Sequence, residues 1–133
     1  MKKAKRIFGL FTLVKYKILY YKHISFCYNT ICCPSIKFRC ANNGKIVLKS
    51  KVHLRENVLL NVSENGKIIL ENNVFVNDDC KLNCKSEIRI GEGTMLGQNV
   101  LIYDHDHNYK AGAIEKISTF VTKEIEIGKN VWI

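Results

Sequence analysis

A six-residue rhythm of aliphatic side chains constrains this chain more than anything else in it. In the stretch IRIGEGTMLGQNVLI, Ile90, Leu96 and Ile102 recur at every sixth position, Thr94 and Val100 stand four places after the first two, and Gly91 and Gly97 each follow an aliphatic directly. A period of six is too long for a helix face and is not the simple alternation of an ordinary strand.

The rhythm is itself repeated. NNGKIVLKSKVHLRENVLL from Asn42 aligns with ENGKIILENNVFVNDDCKL from Glu64 and with CKSEIRIGEGTMLGQNVLI from Cys84. The registers are Leu48, Leu54, Leu60, then Leu70, Val76, Leu82, then Ile90, Leu96, Ile102, with small or β-branched residues (Val52, Val58, Val74, Cys80, Thr94, Val100) four places after the first two members of each set. Ile125 and Ile127 in IEIGKNVWI repeat Ile88 and Ile90, so three full coils and the opening of a fourth are expected. Three inward aliphatics per coil make each coil three-sided, with the residues beyond about eighteen inserted at a corner. Such coils bury their aliphatics only by stacking, which pairs their strands in parallel. The expected fold class is therefore all-β, a parallel β-helix over residues 42–133 preceded by a separate segment, residues 1–41.

Charge divides the chain in the same way. Residues 1–51 hold twelve of the twenty-one Lys and Arg and no Asp or Glu, whereas residues 52–133 hold nine basic and twelve acidic residues. From Lys2 to Lys22, Ile7, Phe8, Leu10, Phe11, Val14, Ile18, Leu19 and Tyr21 fall near helical spacing among lysines. That predicts a basic amphipathic helix, too charged to span a bilayer, which either packs over the end of the body or makes peripheral contact with an anionic membrane through residues 1–22. No nucleic-acid partner is expected, because no recognition motif accompanies the charge. Residues 23–43, with the single proline Pro34, read as an irregular connection containing one short strand. The opening residues do not read as a signal peptide, so the six cysteines are expected free in a reducing cytoplasmic compartment, at the inner face of the membrane in the second of the two readings of the helix. Cys27, Cys32, Cys33 and Cys40 lack the paired spacing of a zinc site, and no metal is expected.

After Ile102 the register breaks, and residues 103–124 form a long excursion before Ile125 restores it. Long excursions from a rigid scaffold commonly carry function. This one opens with Tyr103, Asp104, His105, Asp106, His107, Asn108 and Tyr109. An imidazole can accept a proton from a hydroxyl near neutral pH, and a flanking acid can hold its tautomer; the same residues also suit a solvated loop.

The coils, the histidine-bearing loop and the return on IGKNVWI resemble the hexapeptide-repeat acyltransferases, particularly the maltose, galactoside and polysaccharide O-acetyltransferase group. The resemblance covers residues 42–133. It implies a left-handed coil, a homotrimer with sites between subunits, acetyl-CoA as acyl donor, and a sugar or surface-polysaccharide precursor as acceptor. It places the catalytic histidine at His107, with His105 as the alternative. It assigns Asn77 and, more weakly, Asn83 to acceptor contacts together with Asp106 and Tyr109, and Trp132 to the thioester arm. The aspartate that usually follows the asparagine is replaced, with Cys84 near its place. Family members continue through further coils that hold CoA, so the chain is expected to be a fragment. A non-catalytic scaffold and an N-acetyltransferase acting on an amino-sugar nucleotide are the competing expectations.

Overall fold

The computed structural model describes residues 3–108 and 119–133, and in it the six-residue rhythm becomes three faces of a β-solenoid. Helix α1 (Lys3–Leu19) precedes a first coil of β1 (Ile24–Phe26), β2 (Ile31–Cys32) and β3 (Lys37–Cys40). The second coil is β4 (Lys45–Leu48), β5 (His53–Leu54) and β6 (Leu59–Val62); the third is β7 (Lys67–Leu70), β8 (Phe75–Val76) and β9 (Lys81–Cys84). The fourth is β10 (Glu87–Ile90), β11 (Met95–Leu96) and β12 (Leu101–Tyr103). An antiparallel arm, β13 (His105–His107) with β14 (Phe120–Thr122), then leaves the stack, and β15 (Ile125–Ile127) opens a fifth coil. The first face stacks β1-β4-β7-β10-β15, the second β2-β5-β8-β11 and the third β3-β6-β9-β12, with parallel pairing throughout.

The registers of the repeat are the core. Leu48, Leu70 and Ile90 point inward from the first face, Leu54, Val76 and Leu96 from the second, and Leu60, Leu82 and Ile102 from the third, none more than 9% exposed. Each such side chain contributes roughly 1.5–3 kcal/mol relative to exposure. At the corners small or β-branched side chains fill the space: Val52, Val58, Val74, Cys80 and Thr94 have 0% exposure, and Ile36, in register with Val58, is also buried. Thr94 also ties coils together: its hydroxyl donates to the Gly128 carbonyl at 2.7 Å and accepts from the Val131 N–H at 3.1 Å.

From the second coil onward, the first and second corners each place a residue in the left-handed region. Lys51, Asn73, Gly93 and Asn130 occupy the first corner, and Asn57, Asp79 and Asn99 the second, all with φ between 54° and 70°. Asn, Asp and Gly tolerate this conformation best, whereas a long side chain costs more. Lys51 is the misfit of its column, so Lys51→Gly is expected to raise stability by about 0.5–1 kcal/mol in urea denaturation. The third corner absorbs the extra residues. Ile46 and Ile68 are twenty-two residues apart, Ile68 and Ile88 only twenty, and the difference lies between β6 and β7, where residues 63–66 contract to Lys85 and Ser86 between β9 and β10.

Two sequence expectations change. Residues 24–40 are a complete coil rather than an irregular connection, so the solenoid begins before the expected boundary at residue 42 and holds four coils and the start of a fifth. Phe26, Cys32 and Phe38 lie in register with Leu48, Leu54 and Leu60. Two aromatics and a cysteine fill inward places that aliphatics fill elsewhere, which hides the rhythm.

The second change concerns α1. It does cap the body, but through Gly9, Leu13, Tyr16 and Tyr20, four positions on one helical stripe. Tyr16 meets Phe38 edge-on at 5.0 Å between ring centroids, and the Cys32 thiol donates to the Gly9 carbonyl at 3.1 Å. The apolar residues that define the sequence pattern face outward: Ile7, Phe8, Leu10, Phe11, Val14, Ile18, Leu19 and Tyr21 are all exposed. A Cβ at Gly9 would sit 1.8 Å from the Cys32 carbonyl oxygen, a backbone atom that cannot step aside. Gly9→Ala gains about 1 kcal/mol of helix propensity but loses roughly 1–3 kcal/mol to overpacking. The helix is therefore expected to lift, and trypsin to cleave after Lys15 and Lys17 faster than in the parent. No described helix is long and apolar enough to cross a membrane.

Candidate functional site

The site grows from the end of the third face. Cys40, Val62 and Cys84 occupy successive inward places at the end of β3, β6 and β9. The next place in that column is Asp104, directly after β12. A carboxylate thus stands where the coils below carry a thiol or a valine, and its side chain is 0% exposed.

Its neighbours explain how the burial is tolerated. One carboxylate oxygen accepts from the Lys85 N–H at 2.9 Å and from His105 Nδ1 at 2.9 Å. The other accepts from the Ser86 N–H at 2.7 Å, the Lys85 N–H at 3.0 Å and the Cys84 thiol at 3.2 Å. Burial works to raise the acid's pKa, but the bonds from His105, Ser86, Lys85 and Cys84 together outweigh it and hold Asp104 below the usual carboxylate range. The Cys84 thiol is pushed up to about 12, first by burial and then by its bond to Asp104 and that carboxylate's charge, so it stays a protonated donor. With Asp104 ionised, His105 Nδ1 is a donor, which fixes that ring's tautomer and orientation.

The arm extends this anchorage outward. His105 and His107, two residues apart on β13, project to one face of the hairpin. Both rings meet Phe120 of β14, at 5.4 Å for His105 and 4.7 Å for His107. His105 is enclosed further by Tyr103 at 6.0 Å and keeps 16% side-chain exposure, whereas His107 is exposed. The Lys85 ammonium stands 3.8 Å from the centre of the Phe120 ring and 2.8 Å from a Glu64 carboxylate oxygen. An open depression beside the arm is lined by Asp106 together with Tyr103, Asp104, His105, Val121 and Lys123, and one of the Asp106 carboxylate oxygens accepts from the His107 N–H at 2.7 Å.

The remaining sequence-derived residues divide. Asn83 belongs near the arm: it is the register partner of Tyr103, its carbonyl accepts from the Asp104 N–H at 3.4 Å, and its side-chain oxygen accepts from Asn61 Nδ2 at 3.0 Å. Asn77 sits at the second corner, its side-chain oxygen accepting from the Asp78 N–H at 2.9 Å. Trp132 bridges Met95 on the second face and is 80% exposed. Within one chain, neither Asn77 nor Trp132 shares the face of the arm. Tyr109 lies outside the described residues. Lys85, Ser86 and Phe120 enter the site only through the structure, and the role of Cys84 as a thiol donor to Asp104 does too. In the sequence Asp104 is only one of the two acids that open the excursion, and Phe120 carries no signal, because its place depends on the register of the arm.

All six cysteines are unbridged, and among the described residues no group of three His, Cys, Asp or Glu could hold a metal ion. Comparison with protein-family models, with curated proteins and with solved structures finds no match. The class is therefore defined by fold and site alone: a parallel β-solenoid carrying an acid-anchored, histidine-bearing hairpin.

Proposed function

We propose that this protein is an acetyl-CoA-dependent O-acetyltransferase acting on a sugar or surface-polysaccharide precursor, with a left-handed coil and a trimeric active unit. The observation that carries this is the arm, the interruption of a regular stack at which one imidazole is fastened to a buried carboxylate and the next is held in solvent beside it. His107 takes the proton of the acceptor hydroxyl, whose oxygen attacks the thioester carbonyl. The carbon–sulfur bond breaks, the acetyl ester forms and the thiolate of CoA recovers the proton. A backbone N–H carries the oxyanion in between. His105 is a positioning residue that transmits the rigidity of Asp104 to the strand. Asn83 and Asp106 contact the acceptor from the arm side, and the resemblance assigns Tyr109 to the same acceptor. Asn77 and Trp132, on the second face and its corner, join the site from a neighbouring copy, with Trp132 beside the thioester arm.

Release of free thiol from acetyl-CoA in the presence of a panel of sugars, polysaccharide precursors and amino-sugar nucleotides tests the proposal. Hydroxyl-dependent turnover that His107→Ala removes is expected. Turnover confined to the amino group of an amino sugar would move the assignment to N-acetylation, and absence of histidine-dependent turnover with every acceptor would leave a scaffold.

A further inference from the structure

The outer stripe of α1 belongs to neither the solenoid nor the arm. Gly9, Leu13, Tyr16 and Tyr20 are spent on capping the first coil, yet the opposite side of the same helix carries a second apolar stripe, Ile7, Leu10, Phe11, Val14 and Ile18, with exposures from 45% to 73%. A helix with two apolar faces has two partners, and the solenoid is only one of them. We propose that the second is a lipid bilayer with anionic headgroups, on which α1 lies flat, the stripe entering the acyl region and the lysines meeting the headgroups.

Charge selects this occupant. Residues 1–22 contain seven Lys and Arg and no Asp or Glu, so the segment that bears the stripe is charged with one sign only, although the Lys17 ammonium is turned onto the Tyr21 and Ile24 carbonyls at 3.0 and 2.7 Å. A second copy of the same helix would bring like charges together, whereas an anionic surface relieves them. The helix is also too short and too charged to span, which suits the interfacial position. The stripe continues into an apolar cavity between α1 and the first corner, lined by Ile7, Leu10, Tyr28, Ile31 and Cys32, where the Thr30 hydroxyl is buried without a hydrogen-bond partner. Capping fixes the geometry of docking: the membrane lies across the N-terminal end of the stack, and the arm on the fourth coil stands three coil spacings, about 15 Å, further out.

This inference does not rest on the acetyltransferase proposal, and its test has no catalytic readout. The full chain is sedimented with sucrose-loaded vesicles of phosphatidylcholine alone and of phosphatidylcholine with about a third phosphatidylserine, at low and high salt. Binding is expected with the anionic vesicles, weakening with salt. Phe11→Gln with Ile18→Gln, both at exposed positions, is expected to weaken it at least tenfold with an unchanged circular dichroism spectrum, and Lys15→Gln by roughly fivefold. Failure to sediment with the anionic vesicles would overturn the proposal. So would binding that the Phe11→Gln, Ile18→Gln variant retains, or a lipid-independent dimer that this variant dissolves, since the stripe would then be covered by a second copy.

Discussion

Asp104→Ala is expected to cost about 3–5 kcal/mol of stability at neutral pH, the range for breaking a buried hydrogen-bonded charge network. The side chain is fully buried and accepts from two backbone N–H groups, a thiol and an imidazole. Removing it leaves the part-buried Lys85 and Ser86 N–H groups without this acceptor, at up to about 1–3 kcal/mol each. It also leaves a hole of carboxylate size between coils. The pH dependence has a definite sign. The folded-state pKa of Asp104 lies below its ordinary value, so the stability it contributes is present in full above the unfolded value near 4 and is lost as pH falls through the folded one. Urea denaturation of parent and variant from pH 7 to pH 2.5 checks this. The gap between them should be constant above about pH 5 and narrow below pH 4. A gap that stays constant to the lowest pH would mean that Asp104 is not held as a carboxylate, and the anchored-arm description would fail.

His107→Ala is expected to lower kcat for acetyl transfer by about a hundredfold to ten-thousandfold, the usual contribution of a general base, while leaving the denaturation midpoint within about 0.5 kcal/mol of the parent, as for exposed positions generally. His107 is exposed, and its ring rests on Phe120 without entering the core. His105→Ala should behave differently. It empties one donor position on Asp104 and loosens the packing between Tyr103 and Phe120, so stability and kcat fall together. His105→Asn, which restores a donor at a similar reach, should recover much of the stability. Parent-like turnover in His107→Ala, with loss confined to His105→Ala at unchanged stability, would transfer the base role to His105. Comparing kcat and the denaturation midpoint across the three variants distinguishes the two assignments.

The inward column of the solenoid was legible because it is a local property of the chain. In a strand, inward and outward positions alternate, and a three-sided coil repeats that choice every six residues, so Leu48, Leu54 and Leu60 declare their direction without reference to any other part of the molecule. The Asn and Asp residues of the corners are equally local, since their type answers to a backbone conformation at one residue. Burial makes the same demand in the first coil, but Phe26, Cys32 and Phe38 meet it with different side chains. Only their hydrogen-bonded register with the second coil reveals it.

By itself, then, the sequence determined the period, the faces, the core from Leu48 to Ile102, the interruption after it and the two histidines within. Tertiary structure alone decided the rest. It set which stripe of α1 meets the body, because a Gly9 without a side chain lets the helix approach Cys32 closely and so turns Ile7, Phe11 and Ile18 outward. It decided that Asp104 is the buried acid and Asp106 the exposed one, because the column of Cys40, Val62 and Cys84 continues to residue 104. It also decided that Asn77 and Trp132 stand apart from the arm. Periodicity records the direction of each side chain from its own strand; which side chains meet depends on how far each corner carries the next strand, and that is set only when the coils stack.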